Sequence, residues 1–181
     1  MSSFGGREVV IVEAVRTPVG RGHKEKGYYR ELHPSNLLAH AYTELIARSG
    51  IDPEIVEDVV AGCVQQFGEQ SLNIGRNAWL EAGFPIETPA TTIDRQCGSA
   101  QQAVNYAAAM IASGVHDVMI GGGVMRCIPP VGGSRTWNSY VAKPPRDRIS
   151  EMREPEVTRT LVPCTRTPLT MVPFLLKSCS S

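Results

Sequence analysis

Cys97 stands in the segment Asp94-Arg95-Gln96-Cys97-Gly98-Ser99-Ala100, where the run Ala90-Thr91-Thr92-Ile93 gives way to an alanine-rich helical stretch. A cysteine at a strand-to-helix junction faces the positive end of the helix dipole and backbone N–H groups with no partner inside the helix. That setting favours thiolate over thiol, and the thiolate is the nucleophile. The competing reading is a buried structural cysteine, the commoner fate of a free thiol. The small residues Gly98, Ser99 and Ala100 leave room for a substrate, which favours the nucleophile.

Other chemistry-bearing fragments are weaker. Cys63 falls in an apolar run that reads as a strand, so it reads as core. Gly20-Arg21-Gly22 does not complete a dinucleotide fingerprint, and Lys24 and Lys26 read as a solvated loop. Gly121-Gly122-Gly123 follows another apolar run and could offer backbone N–H groups to a phosphate. Five cysteines, an odd number without metal-like pairing, suit a reducing cytoplasm rather than a disulfide framework. No metal site is expected.

The elements that must position Cys97 alternate between strand and helix. Glu8–Val15 reads as a strand covered on both faces because its centre, Val9-Val10-Ile11-Val12, is apolar throughout. Ser35–Ser49 carries Leu37, Leu38, Ala41, Leu45 and Ile46 at helical spacing, with Ser35 as N-cap and Gly50 as the left-handed stop. Val59–Val64 is the second strand, Asn73–Ala82 a helix closed by Gly83, and Ala90–Asp94 the third strand. The helix led by Cys97 runs to Ser113, and Asp117–Ile120 makes a fourth strand. Such alternation argues an α/β layer with parallel pairing and right-handed crossovers. The helix after Cys97 is apolar on every side, as an interior helix is. At fewer than about 20 residues, and with Gln101, Gln102 and Asn105, it is no membrane span. No signal peptide core precedes Glu8.

The stretch from Glu8 to about Val124 resembles the thiolase family, acyl-CoA acetyltransferases that condense or cleave 3-ketoacyl-CoA. The residues carrying the resemblance are Glu13-Ala14-Val15-Arg16-Thr17-Pro18-Val19-Gly20, Gly62-Cys63-Val64-Gln65-Gln66, Asn73-Ile74-Gly75-Arg76, Ala82-Gly83-Phe84-Pro85, Cys97-Gly98-Ser99 and Gly121-Gly122-Gly123. Ala100 departs from the glycine the family usually has there. The resemblance implies ping-pong acyl transfer, with Cys97 as the acyl-thioester nucleophile and its backbone N–H as an oxyanion donor. It implies acyl-CoA and CoA as substrates, no permanently bound cofactor, and a homo-oligomer. It places Glu69, Gln70 and Asn73 near a dimer interface and the site entrance, in supporting roles. Gly121–Gly123 then becomes a close-packed turn entering the CoA-contacting region. A ketoacyl-synthase relative would share the fold and the cysteine, but Arg16-Thr17-Pro18 and Asn73–Arg76 favour thiolase.

Composition changes near Met125. Residues 1–125 carry nine Lys/Arg and fourteen Asp/Glu, residues 126–181 nine and four, so the zero net charge hides a −5 and a +5. Eight of the thirteen prolines fall after residue 125, too closely spaced for a persistent helix. The basic residues there form no helical face, which argues against nucleic acid. The family's histidine in a Gly-His-Pro-like segment and second cysteine in a Cys-x-Gly-like segment do not occur. The fold expected is therefore α/β, the N-terminal half of a layered thiolase-like fold over residues 1–125, incomplete. An irregular or disordered non-family tail follows over 126–181, from a frame change, a gene-model error or a genuine extension. The function expected is thiolase-like acyl transfer in a truncated, inactive chain, or a non-catalytic fragment acting through a dimerisation face.

Overall fold

A computed structural model describes residues 7–20, 26–29, 31–125 and 173–179. The elements in chain order are β1 (Glu8–Ala14), α1 (Pro34–Ser49), β2 (Asp58–Gly62), α2 (Ile74–Glu81), β3 (Ala90–Ile93), α3 (Ser99–Ala112), β4 (Val118–Gly123) and β5 (Phe174–Cys179). They build one five-stranded sheet in the order β1-β5-β4-β2-β3. β4, β2 and β3 run parallel, as their intervening helices require. β5 is antiparallel to both of its neighbours, which makes the sheet mixed rather than all parallel. By their contacts, residues 19–31 separate from this unit; within them Gly20 lies against the ring of Tyr29.

Period-two alternation sends the strand side chains to two different cores. On one face Val60, Met119 and Leu176 meet Ala103, Ala107 and Ile111 of α3. On the other face Gly75 of α2 lies directly over Ala61. The adjoining core of α1 and α2 includes Leu38, Tyr42, Leu45 and Trp79, all fully buried. The rings of Tyr42 and Trp79 meet edge to face at 5.9 Å, and Phe84 packs on Trp79 at 4.6 Å. The Trp79 indole donates to the Pro85 carbonyl at 2.9 Å, so its polar end is satisfied where the ring is buried.

Several sequence expectations change here. α1 is capped by His33, whose Nδ1 accepts from the Ser35 amide at 3.2 Å, and not by Ser35. Pro34 explains the shift, because a proline suits the first helical position and so puts the cap at the residue before it, two before Ser35. Gly50, in the left-handed region at φ 66°, closes the helix as expected. Among the described residues β1 ends the sheet, and it is not doubly covered, with Ile11 57% exposed. β4 extends through Gly123, so the glycine triplet is strand and not a phosphate-cradling or substrate-entry turn. α3 is apolar all round in sequence, yet buries only Ser99, Ala103, Ala107 and Ile111 and leaves Tyr106 48% exposed.

The tail expectation divides. Residues 126–172, 180 and 181 lie outside the described residues, but Phe174–Cys179 forms β5 and is not irregular. Its short apolar run has pairing partners far away in sequence, so no local periodicity announces it.

Among the described residues the buried Tyr42 hydroxyl has no hydrogen-bond partner, and burial holds the phenol above the ordinary tyrosine range. An unpaired buried hydroxyl costs about 1–3 kcal/mol. Tyr42→Phe keeps the ring packing and removes that cost. Thermal unfolding should therefore show the variant equal to or more stable than the parent, by about 1 kcal/mol; a clear loss would mean the hydroxyl is paired.

Candidate active site

β2, β3 and β4 end level with one another, because Gly62 is in register with both Ile93 and Gly123. Two further backbone bonds tie the departing chains: Cys63 N to Ile93 O and Val124 N to Gly62 O, each 2.9 Å. The three following segments therefore leave one edge of the sheet together. In open α/β sheets that carboxyl edge is where ligand sites form. Cys97 belongs to the segment leaving β3.

A single hydroxyl shapes its loop. Ser99 Oγ accepts from the Arg95 amide at 2.9 Å and donates to the Arg95 carbonyl at 3.0 Å. The Gly98 amide closes a turn onto the same carbonyl at 2.8 Å. Held at both ends, the chain passes Cys97 in the left-handed region, at φ 59°, and the cysteine is exposed. A non-glycine residue there stores about 1–3 kcal/mol of strain, which persists only when its surroundings over-determine it. Ser99 supplies that determination, and itself is buried.

α3 begins immediately beyond, with Gly98 at the N-cap and no side chain capping it. Its first turn holds no acidic residue. The positive end of the helix thus faces the Cys97 loop with no acidic residue in its first turn, a setting that attracts anions. The Cys97 amide has no acceptor among the described residues.

Glycines allow α3 to come this close. A Cβ on Gly62 would overlap the Ser99 carbonyl and the Ala100 amide, and one on Gly123 would lie 2.9 Å from the Ala100 Cβ. One on Gly121 would come within 2.9 Å of the Val104 Cα. On this face of the sheet, bulky Val60 and Met119 give way to glycines toward the carboxyl edge. The face tapers, and the start of α3 sinks into it.

Cys63, at the same edge, is the opposite kind of thiol. It is 1% exposed, and its Sγ is 3.5 Å from the Gln65 carbonyl. Burial pushes its thiol up to about 11, with the Asp94 charge adding a smaller push the same way. It is core, as the sequence indicates.

The remaining residues singled out in the sequence hold structure. Asn73 caps α2, donates to the Ala90 carbonyl at 2.7 Å, and accepts from Thr92 Oγ1 at 2.8 Å, so it fastens α2 to β3. Gln70 is buried and donates to the Gln65 carbonyl at 3.2 Å. Arg76 donates to the Thr88 and Ile86 carbonyls. His33 contacts Ser35 in the cap of α1, and His116 faces Glu57 at the amino ends of β2 and β4, away from Cys97. Among the described residues no cluster of His, Cys, Asp and Glu could hold a metal ion. Sequence reasoning singles out Cys97 and misses the Ser99 clamp and the role of Gly62; the only sequence signal for the latter is a glycine ending an apolar run.

Comparisons with known proteins identify the family and the fold. A family model described as thiolase, N-terminal domain, matches residues 9–126. A steroid 3-ketoacyl-CoA thiolase of Mycobacterium tuberculosis is 49% identical over 117 residues, covering 65% of this chain and 28% of the relative. A 3-ketoacyl-CoA thiolase of Saccharophagus degradans is 45% identical over 123 residues, 67% of this chain and 31% of the relative. The crystal structure of a Bacillus anthracis acetyl-CoA acetyltransferase aligns at a TM-score of 0.64 and 33% identity, over 82% of this chain and 38% of that one. The chain thus spans less than a third of the length of these two curated relatives.

The two thiols should react very differently. At pH 8 iodoacetamide should modify Cys97 at least about tenfold faster than Cys63, because the thiolate is the reacting form and Cys63 is buried and protonated. Raising the pH toward 11 should narrow the gap from the Cys63 side. Equal rates at pH 8, read by peptide mass spectrometry, would refute the assignment of Cys63 to the core.

Proposed function

We propose, from the premise that this chain belongs to the thiolase family, that Cys97 accepts an acyl group from an acyl-CoA thioester. The observation that carries the reading is the exposed cysteine at φ 59°, beside the uncapped start of α3. The thiolate attacks the thioester carbonyl, the bond from that carbon to the CoA sulfur breaks, and CoA departs as a thiolate that takes up a proton. The acyl group stays on Cys97. As charge builds on the carbonyl oxygen, the free Cys97 amide is a donor suited to it. One such donor is typically worth about 10²–10³ in rate.

Relatives named 3-ketoacyl-CoA thiolase and acetyl-CoA acetyltransferase support CoA thioesters as the substrate class, within fatty-acid metabolism. The second half of the reaction needs a base and a second thiol, for which the resemblance points to Gly-His-Pro-like and Cys-x-Gly-like segments. Neither segment occurs in these 181 residues. Expressed alone, this polypeptide would take an acyl group and stop, since general acid–base assistance by itself contributes about 10²–10⁴-fold. The reading extends to a cytoplasmic homo-oligomer, supported by the family and by the free thiols Cys63 and Cys97. Among the described residues no helix is long and apolar enough to cross a membrane.

Incubation of the 181-residue chain with acetyl-CoA should give a single acetyl adduct on Cys97, absent in Cys97→Ala, with no steady-state cleavage of acetoacetyl-CoA. An adduct confined to Cys63, or no adduct on folded protein, would overturn the nucleophile. Sustained cleavage lost in Cys97→Ala would overturn the half-reaction.

A further inference from the structure

If Cys97 accepts an acyl group, two of its groups must meet one carbonyl: the sulfur its carbon, and the amide N–H its oxygen. Rotation about the N–Cα bond sets the angle between them, because N carries the amide hydrogen and Cα carries Cβ. Most residues have negative φ; at Cys97 φ is 59°. Moving φ into the ordinary range would re-aim the amide relative to the thiol without removing either. Attack by the thiolate on a saturated carbon is indifferent to that angle. Stabilisation of an oxyanion is not, since a donor helps only where the charge develops.

One side chain fixes the angle. Arg95 and Ser99 stand two residues either side of Cys97, and Ser99 Oγ bonds both backbone groups of Arg95, at 2.9 and 3.0 Å. Among the described residues no other side chain is hydrogen-bonded to the backbone of residues 94–98. Ser99 is itself anchored: it is 5% exposed, and its carbonyl lies directly over Gly62. The Gly98 carbonyl accepts the opening bond of α3 from the Gln102 amide at 2.9 Å. A hydroxyl is donor and acceptor at once, so a methyl in its place loses both ties together. Only the bond from the Gly98 amide to the Arg95 carbonyl would then span the loop.

We propose that Ser99 is the positioning residue of the acyl-transfer step: its hydroxyl holds Cys97 in the left-handed region and so aims the Cys97 amide at the oxygen of the thioester that the Cys97 sulfur attacks. The proposal rests on Cys97 being the acyl acceptor. Ser99 exchanges no proton with the substrate and forms no bond to it; both of its hydrogen bonds are committed to Arg95, and it acts through that backbone. The sulfur–carbon bond forms and the carbon–CoA sulfur bond breaks as in any thioester exchange. What Ser99 contributes is the direction of the donor while they do so. Its loss therefore separates two reactivities of one thiol, slowing acylation and sparing alkylation.

The test compares the full 181-residue chain with Ser99→Ala, which loses the hydroxyl, and Ser99→Thr, which keeps it. Backbone chemical shifts of Cys97 should lose their left-handed signature in Ser99→Ala and retain it in Ser99→Thr. Acetylation of Cys97 by acetyl-CoA should slow by about 10²-fold or more in Ser99→Ala, the loss typical of one oxyanion donor, and most of the rate should return in Ser99→Thr. Alkylation of Cys97 by iodoacetamide, which develops no oxyanion, should stay near the parent rate in both. A left-handed signature that persists in Ser99→Ala would overturn the clamp, with or without an acyl donor. Acetylation of Ser99→Ala at the parent rate would overturn the positioning role, and so would acetylation and alkylation slowed alike, the pattern of general damage. A Ser99→Thr chain that matches Ser99→Ala throughout would overturn the part given to the hydroxyl. A parent chain that takes no acetyl group would overturn the acyl-transfer reading, while the chemical shifts still decide whether Ser99 sets the Cys97 conformation.

Discussion

The close approach of α3 to the carboxyl edge of the sheet is the constraint on which the site depends. Gly62 lies under the Ser99 carbonyl and Ala100 amide, Gly123 under the Ala100 side chain, and Gly121 under Val104. With side chains at those positions the helix would stand off the strands, and the loop from Ile93 would have further to climb. Brought down, the first turn is near enough for Ser99 to hold both backbone groups of Arg95. Within this held loop Cys97 adopts the left-handed region, at φ 59°. Strain at one residue is thus a result of packing among several others.

That packing is sustained from the far side of the sheet's middle. Leu176 and Phe174 of β5 fill the space beneath the centre of α3, where Met119 and Val60 complete the cluster. β5 also gives β1 its only strand neighbour among the described residues. The last described strand therefore joins the first to the interior and supports the helix that carries the thiol. Long-range pairing of this kind forms late, because loop closure must precede any reward.

Much of this was legible before any coordinates. The helical spacing of Leu37, Leu38, Ala41, Leu45 and Ile46, the stop at Gly50, and the continuous apolar centre of β2 are local signals with local consequences. The junction that holds Cys97 was legible for the same reason, since the end of β3 at Ile93 and the start of α3 at Ser99 can be read from residue types alone. The cap of α1 was misplaced by two residues because His33 seldom serves in that role, although Pro34 beside it was a usable clue. β1 looked doubly covered because its apolar run says nothing about sheet order; as an edge strand it leaves Ile11 exposed. β5 was hidden most completely. Phe174, Leu175 and Leu176 follow a proline-rich stretch, and their meaning depends on partners at the opposite end of the chain.

The glycine triplet teaches the same lesson at smaller scale. Gly121, Gly122 and Gly123 read as a loop for phosphate or substrate, but each is a strand residue whose missing side chain makes room: for α3 at 121 and 123, for Pro173 at 122. The central claim is that packing of α3 on such glycines makes Cys97 reactive toward a thioester. Gly62→Ala tests it most directly, because the added methyl would displace the start of α3 and the Cys97 loop while leaving the thiol itself unsubstituted. Acetylation of Cys97 by acetyl-CoA should slow by about 10²-fold or more if the displaced loop loses its oxyanion donor, with the cysteine still open to alkylation. Acetylation at the parent rate, in a variant that remains folded, would contradict the account.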